Sequence, residues 1–289
     1  MKNINGKIIS DHLNDKLRDK IKKFKDNYNI TPNLVVILIG ENPASKVYVK
    51  NKSIRADEVG INSVVNCLDI SVSEKELLKL IDQYNKDKNV DGILVQLPLP
   101  QHINSKRVID SISYDKDVDG FNSKNIGLLA LGRPHVIPCT PQGCLELLKT
   151  ETDVSGKNII VVGRSNIVGK PLSLLLTNHN ATVTLAHSKS KNLKALCNNK
   201  DIIIAATGIP RMIKKDWVKE NSIIIDVGIN QIRTNDNKKI LVGDVDYSDV
   251  FSKVKAITPV PGGVGPMTIH CLLNNTFKLA LARRNIEIT

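Results

Sequence analysis

The sequence predicts an α/β protein of two α/β domains, the second a Rossmann-type doubly wound parallel sheet, with a cleft between them. Three observations carry that expectation. Apolar runs alternate with amphipathic segments along almost all of the 289 residues. The rhythm restarts after Gly156, beyond a stretch punctuated by Pro138, Thr140, Pro141 and Gly143. A glycine-bearing turn, Gly163 to Pro171, follows one apolar run directly and opens an apolar helical segment.

Taken in order, Leu34 to Ile39, Ile61 to Leu68 and Gly92 to Val95 read as strands, separated by helices over Ser45 to Val59 and Ser73 to Tyr84. Ser73 followed by Glu76 has the spacing of a capping box. Past Gly156 come strands at Asn158 to Val162, Ala181 to Ala186, Asp201 to Ala205 and Ser222 to Val227. Short runs with little alternation belong to parallel sheets buried on both faces. Thr140-Pro141 has the form of an N-cap followed by proline at the first helical position. Met267 to Arg284 reads as a closing helix, and nothing local says which domain it joins.

Composition excludes several classes. No apolar stretch approaches the roughly 20 residues of a membrane span, and Met1 to Asp11 lacks the apolar core of a secretory signal. Five dispersed cysteines without a CxxC pair argue against a disulfide framework or structural zinc, and no His/Asp/Glu group has metal-ligand spacing. The net charge of +12 raises nucleic-acid binding. However, the densest lysines, Lys16 to Lys25, alternate with Leu17, Ile21 and Phe24 at helical spacing, and 3% aromatic residues leave few stacking platforms. The expectation is a cytoplasmic protein that binds neither nucleic acid nor membrane.

Gly163-Arg164-Ser165-Asn166-Ile167-Val168-Gly169 sits where a dinucleotide phosphate loop would, although Ser165 replaces the usual second glycine. An NAD-preferring site places an acidic residue at the end of the next strand. Here that strand ends in Ala186-His187-Ser188-Lys189, so Ser188, Lys189 and Arg164 favour the extra phosphate of NADP. Thr207-Gly208 and Val227-Gly228-Ile229 end later strands of the same unit and form the expected walls of a nicotinamide pocket.

In the first half, Tyr48 and Lys52 share a helical face at i and i+4. Gln96 leaves the sheet just before Leu97-Pro98-Leu99-Pro100, where prolines end strand pairing. Asp117-Val118-Asp119-Gly120 is expected to turn sharply and expose a carboxylate. Thr258 to Thr268, rich in glycine and proline, reads as a shaped loop that lets backbone approach a ligand. His102, His135 and His187 stand outside this group.

ENPASKVYVKNK (Glu41 to Lys52), VQLPLP (Val95 to Pro100), KDVDGF (Lys116 to Phe121), TPQGCLELL (Thr140 to Leu148), GRSNIVGKP (Gly163 to Pro171), DVGIN (Asp226 to Asn230) and TPVPGGVGPMT (Thr258 to Thr268) together resemble the bifunctional methylenetetrahydrofolate dehydrogenase/cyclohydrolase (FolD) family. The resemblance covers essentially the whole chain, in order. It implies that Lys52 is the main catalytic residue, with Tyr48 and Gln96 beside it. It further implies that Asp119 bonds the pterin ring and that Pro261, Gly262 and Gly263 border the folate. Gly163, Arg164, Ser165, Ser188 and Ile229 would contact NADP, with Thr207 and Gly208 nearby, and the protein would be a homodimer. The implied domains are 1–139 plus 268–289 for folate and catalysis, and 140–267 for NADP.

The residue types suit that chemistry. Hydride transfer from a methylene flanked by two nitrogens needs orientation more than a strong base. Hydrolysis of the methenyl cation needs a proton removed from water, which a neutral lysine can accept. Alternatives are a dehydrogenase-only relative, a shikimate-type or amino-acid dehydrogenase of similar architecture, and a non-catalytic ligand-binding protein on the same fold.

Overall fold

The chain opens with a two-residue strand, β1 (Lys2–Asn3), and a long helix, α1 (Gly6–Tyr28). A β/α succession follows: β2 (Asn33–Ile39), α2 (Pro43–Val59), β3 (Asn62–Leu68), α3 (Glu74–Lys86), β4 (Gly92–Val95), then α4 (Ser105–Ser111) and α5 (Ser123–Ala130). The structure, a computed structural model, describes residues 2–234 and 236–287.

β2, β3 and β4 form a parallel sheet in the order β3-β2-β4. β2 explains why its sequence is an unbroken apolar run. Leu34, Val36 and Leu38 join one core cluster with Leu17, Ile21 and Phe24 of α1, while Val35, Ile37 and Ile39 join another with Leu77 and Ile81 of α3. A strand covered on both faces has no solvent side to alternate with. Ser73 and Glu76 form the expected capping box, with Glu76 N–H donating to Ser73 Oγ at 3.2 Å and Ser73 N–H to Glu76 Oε2 at 3.0 Å.

The second succession comprises α6 (Cys139–Lys149), β5 (Asn158–Val162), α7 (Gly169–Asn178), β6 (Thr182–Ala186), α8 (Leu193–Asn198), β7 (Ile202–Ala205), β8 (Ile223–Asp226), a hairpin of β9 (Asn230–Arg233) and β10 (Lys239–Val242), α9 (Tyr247–Val250), β11 (Ala256–Ile257) and α10 (Val264–Ala282). Its sheet has six strands in the order β1-β11-β8-β7-β5-β6, every pair parallel. Order reverses at β5, since β6 lies on one side and β7 on the other; this is the switch point of a doubly wound sheet. Thr140, expected as an N-cap, instead lies in the first turn of α6, and its hydroxyl meets that of Thr268 at 3.1 Å.

Contacts divide the chain into two units: the segment up to Asp11 with Thr140–Thr268, and His12–Cys139 with the segment from Ile269. The first strand thus goes with the six-stranded sheet rather than with the residues that follow it. Lys2 N–H donates to Lys255 O and Ile4 N–H to Ile257 O, at 3.0 and 2.9 Å. From Ile269 onward, α10 packs Leu272, Leu273 and Phe277 into the α1/β2 cluster, with Phe277 edge-on to Phe24 at 5.6 Å. Asp91, fully buried at the start of β4, accepts from Arg284 Nη1 at 2.6 Å and from Asn33 N–H at 3.0 Å, which ties down the end of that helix. The β9–β10 hairpin has no counterpart in the sequence reading, because four-residue strands are too short to show a period.

Candidate active site

α2 begins where Asn42 Oδ1 accepts from Ser45 N–H (3.1 Å) with Pro43 in the first turn, and it ends at Gly60, whose φ of 88° continues no helix. Its inward face is Ser45, Val49, Lys52, Ala56 and Val59, so an amine occupies a core position at 4% exposure. Gln96 extends β4 by one residue: its N–H donates to Ile37 O at 2.9 Å. Lys52 Nζ donates to Gln96 Oε1 at 3.1 Å, and Gln96 Nε2 donates to Leu97 O at 2.7 Å, which fixes the amide's orientation. The Tyr48 ring lies 4.6 Å from Lys52 Nζ.

Burial pushes the Lys52 amine below its usual range, against the pull of Asp119 and Cys139. Its hydrogen-bond partner is a neutral amide, which does little to hold the ammonium form. Burial likewise raises the Tyr48 phenol and the Asp119 carboxyl, the latter opposed by Lys52. Burial thus shifts each of these groups toward its uncharged form.

The turn carrying Asp119 leaves that carboxylate half-buried, whereas the neighbouring Asp117 does not project to solvent. Asp117 is 2% exposed and accepts from Gly120 N–H (3.1 Å), Asn122 N–H (2.8 Å) and Asn125 Nδ2 (2.9 Å). Burial still carries its carboxyl up to about 6. Lys116, also buried, donates to Tyr84 O and Asp87 O at 2.8 and 2.6 Å, anchoring the turn to the end of α3. Asp117 shapes the turn; Asp119 lines a pocket with Ile93, Val95, Leu97 and Phe121. Cys139 is 1% exposed, its Sγ donates to Val118 O at 3.2 Å, and burial pushes its thiol well up, which makes it an inert packing group.

In the six-stranded unit the candidates fall at successive carboxyl ends of parallel strands. Gly163 follows β5, Ser188 lies past β6, Thr207 and Gly208 past β7, Ile229 past β8, and Pro261 to Gly263 past β11. Gly163 has a φ of +127°, and a Cβ there would overlap the Ala206 carbonyl oxygen; one on Gly169 would overlap Gly163 O. Ser165 accounts for the missing glycine. Its Oγ accepts from Val168 and Gly169 N–H at 3.1 and 3.3 Å and so caps α7. Arg164, Ser188 and Ile229 are exposed. His187 N–H donates to Ser190 Oγ at 3.0 Å, setting the turn that presents Ser188.

Thus Tyr48, Lys52, Gln96 and Asp119 gather in one unit, while Gly163, Arg164, Ser165, Ser188, Thr207, Gly208, Ile229, Pro261, Gly262 and Gly263 belong to the other. The three histidines set aside in the sequence sit elsewhere: His102 Nε2 is 2.9 Å from Val72 O, His135 packs on Tyr114, and His187 Nδ1 accepts from Lys189 N–H. Sequence reasoning missed Gly6, whose Cβ would overlap Gly263 O, and it missed the buried acids Asp226 and Asp244 behind the strand ends. Of these, only the aspartate in DVGIN lay inside a motif already singled out.

Comparison with known proteins matches residues 4–119 to the tetrahydrofolate dehydrogenase/cyclohydrolase catalytic domain and residues 138–284 to its NAD(P)-binding domain. The chain belongs to the tetrahydrofolate dehydrogenase/cyclohydrolase family. The bifunctional protein FolD of Wolbachia pipientis subsp. Culex pipiens is 50% identical over 286 residues, covering 98% of this chain and 97% of the relative. The crystal structure of the bifunctional enzyme FolD from Campylobacter jejuni superposes with a TM-score of 0.93 at 46% identity, covering 98% of this chain and 99% of its own. The Trypanosoma brucei methylenetetrahydrofolate dehydrogenase-cyclohydrolase, solved with NADP and an inhibitor, has a TM-score of 0.93 at 31% identity, with 97% of each chain covered. The family's catalytic-domain match thus contains Tyr48, Lys52, Gln96 and Asp119, and its NAD(P)-binding match contains the strand-end loops.

Among the described residues no helix is long and apolar enough to cross a membrane, and no three His, Cys, Asp or Glu side chains cluster to hold a metal.

Proposed function

We propose that the protein oxidises 5,10-methylenetetrahydrofolate to 5,10-methenyltetrahydrofolate with NADP and hydrolyses that product to 10-formyltetrahydrofolate. The observation that carries the second activity is the buried Lys52 amine held by Gln96 rather than by a carboxylate. NADP, when bound, supplies the hydride acceptor. The loop suits a pyrophosphate: Gly163 and Gly169 leave no room for a Cβ, and the N–H groups of Arg164 to Ile167 make no hydrogen bond within the described residues. Gly163, Arg164 and Ser165 would hold the phosphates, Ser188 and Arg164 the 2′-phosphate, and Thr207, Gly208 and Ile229 the nicotinamide half. Asp119 accepts from the pterin, and Pro261, Gly262 and Gly263 border the folate.

In the hydrolytic step water adds to the methenyl carbon. Neutral Lys52 takes a proton from that water, a C–O bond forms, and Gln96 keeps the amine aimed without adding charge. The C–N5 bond then breaks as the added hydroxyl loses its proton to solvent and becomes the C=O, while Lys52 returns its proton to N5; the formyl group stays on N10. The Tyr48 ring packs against the amine and limits its freedom.

An assay of the purified protein with methylenetetrahydrofolate tests this, comparing NADP with NAD and separating methenyl from formyl products. Reduced NADP with formyl product is expected. Persistent methenyl product would leave a dehydrogenase alone, and no reduction with either cofactor would make it a binding protein.

The same reading makes the protein a homodimer. β3 is an edge strand with Val64 and Val65 exposed (42% and 37%), apolar surface that a second copy would cover. Sedimentation is expected to show a dimer that Val64→Asp weakens. Five cysteines in no disulfide, four of them buried, suit the reducing cytoplasm we assign.

A further inference from the structure

Behind the strand ends of the six-stranded unit lies a pair of buried carboxylates to which neither the proposed chemistry nor the resemblance gives a role. Asp226 is the last residue of β8 and is 3% exposed; Asp244 lies between β10 and α9 and is fully buried. Asp226 Oδ1 accepts from Gly228 N–H at 3.0 Å and Asp244 N–H at 2.9 Å, and its Oδ2 accepts from Val245 N–H at 2.9 Å. Asp226 N–H in turn donates to Thr258 Oγ1 at 2.7 Å. The first carboxylate therefore fixes the backbone from which the second projects.

Asp244 passes that order on. Its Oδ2 accepts from both Thr207 N–H (2.6 Å) and Gly208 N–H (2.9 Å), and its Oδ1 accepts from Asn230 Nδ2 (2.8 Å). One side chain thus ties the turn after β7 to the residue that follows Ile229 after β8. Packing is close: a Cβ on Gly228 would overlap the Asp244 carboxylate, and one on Gly243 would overlap that of Asp226. Burying two acids side by side is costly, and burial foremost pushes Asp226 up to about 7.

We propose that Asp244 is a positioning residue for the NADP-dependent step, holding the Thr207–Gly208 turn and Asn230 in one fixed register for the nicotinamide half of the cofactor. The inference rests on the assignment of this unit's strand ends to NADP. Asp244 touches no reacting atom; it acts through backbone N–H groups it aims and through Asn230. Because methenyl hydrolysis consumes no cofactor, the two activities separate a local effect from a general loss of structure.

The test measures KM and kcat for NADP reduction, and KM for methenyltetrahydrofolate hydrolysis, in wild type, Asp244→Ala, Asp244→Asn and Asn230→Ala. Asp244→Ala removes three hydrogen bonds and is expected to raise KM for NADP about tenfold or more, with KM for the methenyl substrate changed less than about twofold. Asp244→Asn is expected to recover most of the loss, since its amide oxygen still faces Thr207 and Gly208 and the Asn230 amide can flip to accept. Should Asp244→Ala not fold, Asn230→Ala carries the test, with an expected rise of about threefold in KM for NADP. The proposal is overturned by an unchanged KM for NADP in Asp244→Ala or Asn230→Ala, by equal rises for both substrates, or by an Asp244→Asn variant no better than the alanine. A wild type that hydrolyses the methenyl substrate but reduces no NADP would instead overturn the cofactor assignment, and this inference with it.

Discussion

Lys52 Nζ and Gln96 Oε1 lie 3.1 Å apart, an amine on the buried face of α2 meeting an amide at the exit of β4. The pairing reconciles two opposed demands. A buried amine needs a hydrogen-bond acceptor, yet a carboxylate there would keep it protonated and useless as a base. A neutral acceptor meets the first demand without imposing the second.

Replacing Lys52 by methionine keeps length and removes the proton acceptor. Hydrolysis of the methenyl substrate is expected to fall by about 10² to 10⁴, the usual worth of a general base, with hydride transfer reduced far less. Single-turnover assays of each step measure the two losses, and a variant that retains full cyclohydrolase activity would refute the role of Lys52.

Gln96→Glu tests why the acceptor is neutral. A carboxylate in that place favours the ammonium form and raises the Lys52 pKa. The neutral amine then appears only at higher pH, so the rising limb of kcat/KM for hydrolysis moves to alkaline pH, by about 1 to 3 units. A pH–rate profile checks the direction, and a limb that stays put or moves to acid pH would show that Lys52 does not carry the limb.

Gly163→Ala places a methyl group on the Ala206 carbonyl at a φ of +127°. The backbone strain alone costs about 1 to 3 kcal/mol, and the loop must shift to relieve the overlap. NADP affinity is expected to drop at least tenfold while methenyl hydrolysis persists. Titration of NADPH fluorescence, which reads the same phosphate site, compares wild type and variant, and unchanged affinity would place the phosphates elsewhere.

His270, on α10, is 8% exposed with Nδ1 2.7 Å from Asn14 Oδ1 on α1, and burial lowers its pKa to about 4. In the unfolded chain histidine titrates near 6.5. The neutral native ring therefore contributes stability above about pH 6.5, and this is lost as pH falls through about 4, amounting to about 3 kcal/mol. Asp117 and Asp226 act in the opposite sense, since their raised values favour the protonated native state as pH falls through about 6 and about 7. Comparing urea midpoints of wild type and His270→Gln at pH 7.5 and pH 4 cancels those terms. The wild type is expected to lose more stability than the variant; equal losses would mean that His270 titrates normally.

The sequence by itself determined the two α/β successions, the strands from Leu34 to Val227, the capping box at Ser73 and the identity of the residues around Lys52, because apolar periodicity, caps and motif spacing are local along the chain. It also showed that Ser165 departs from a glycine loop, but not why. Only the tertiary structure decided that the serine hydroxyl caps α7, since that requires the turn to bring Val168 and Gly169 N–H back onto it. The same holds for β1, two exposed residues with no pattern of their own that become a strand only because β11 offers a parallel edge 254 residues later in register. It holds for α10, placed by Phe277 meeting Phe24 and by Arg284 meeting Asp91. The buried acids Asp226 and Asp244 were least legible of all. Their meaning lies in which backbone N–H groups converge on them from distant segments, and convergence of that kind exists only once the chain has folded.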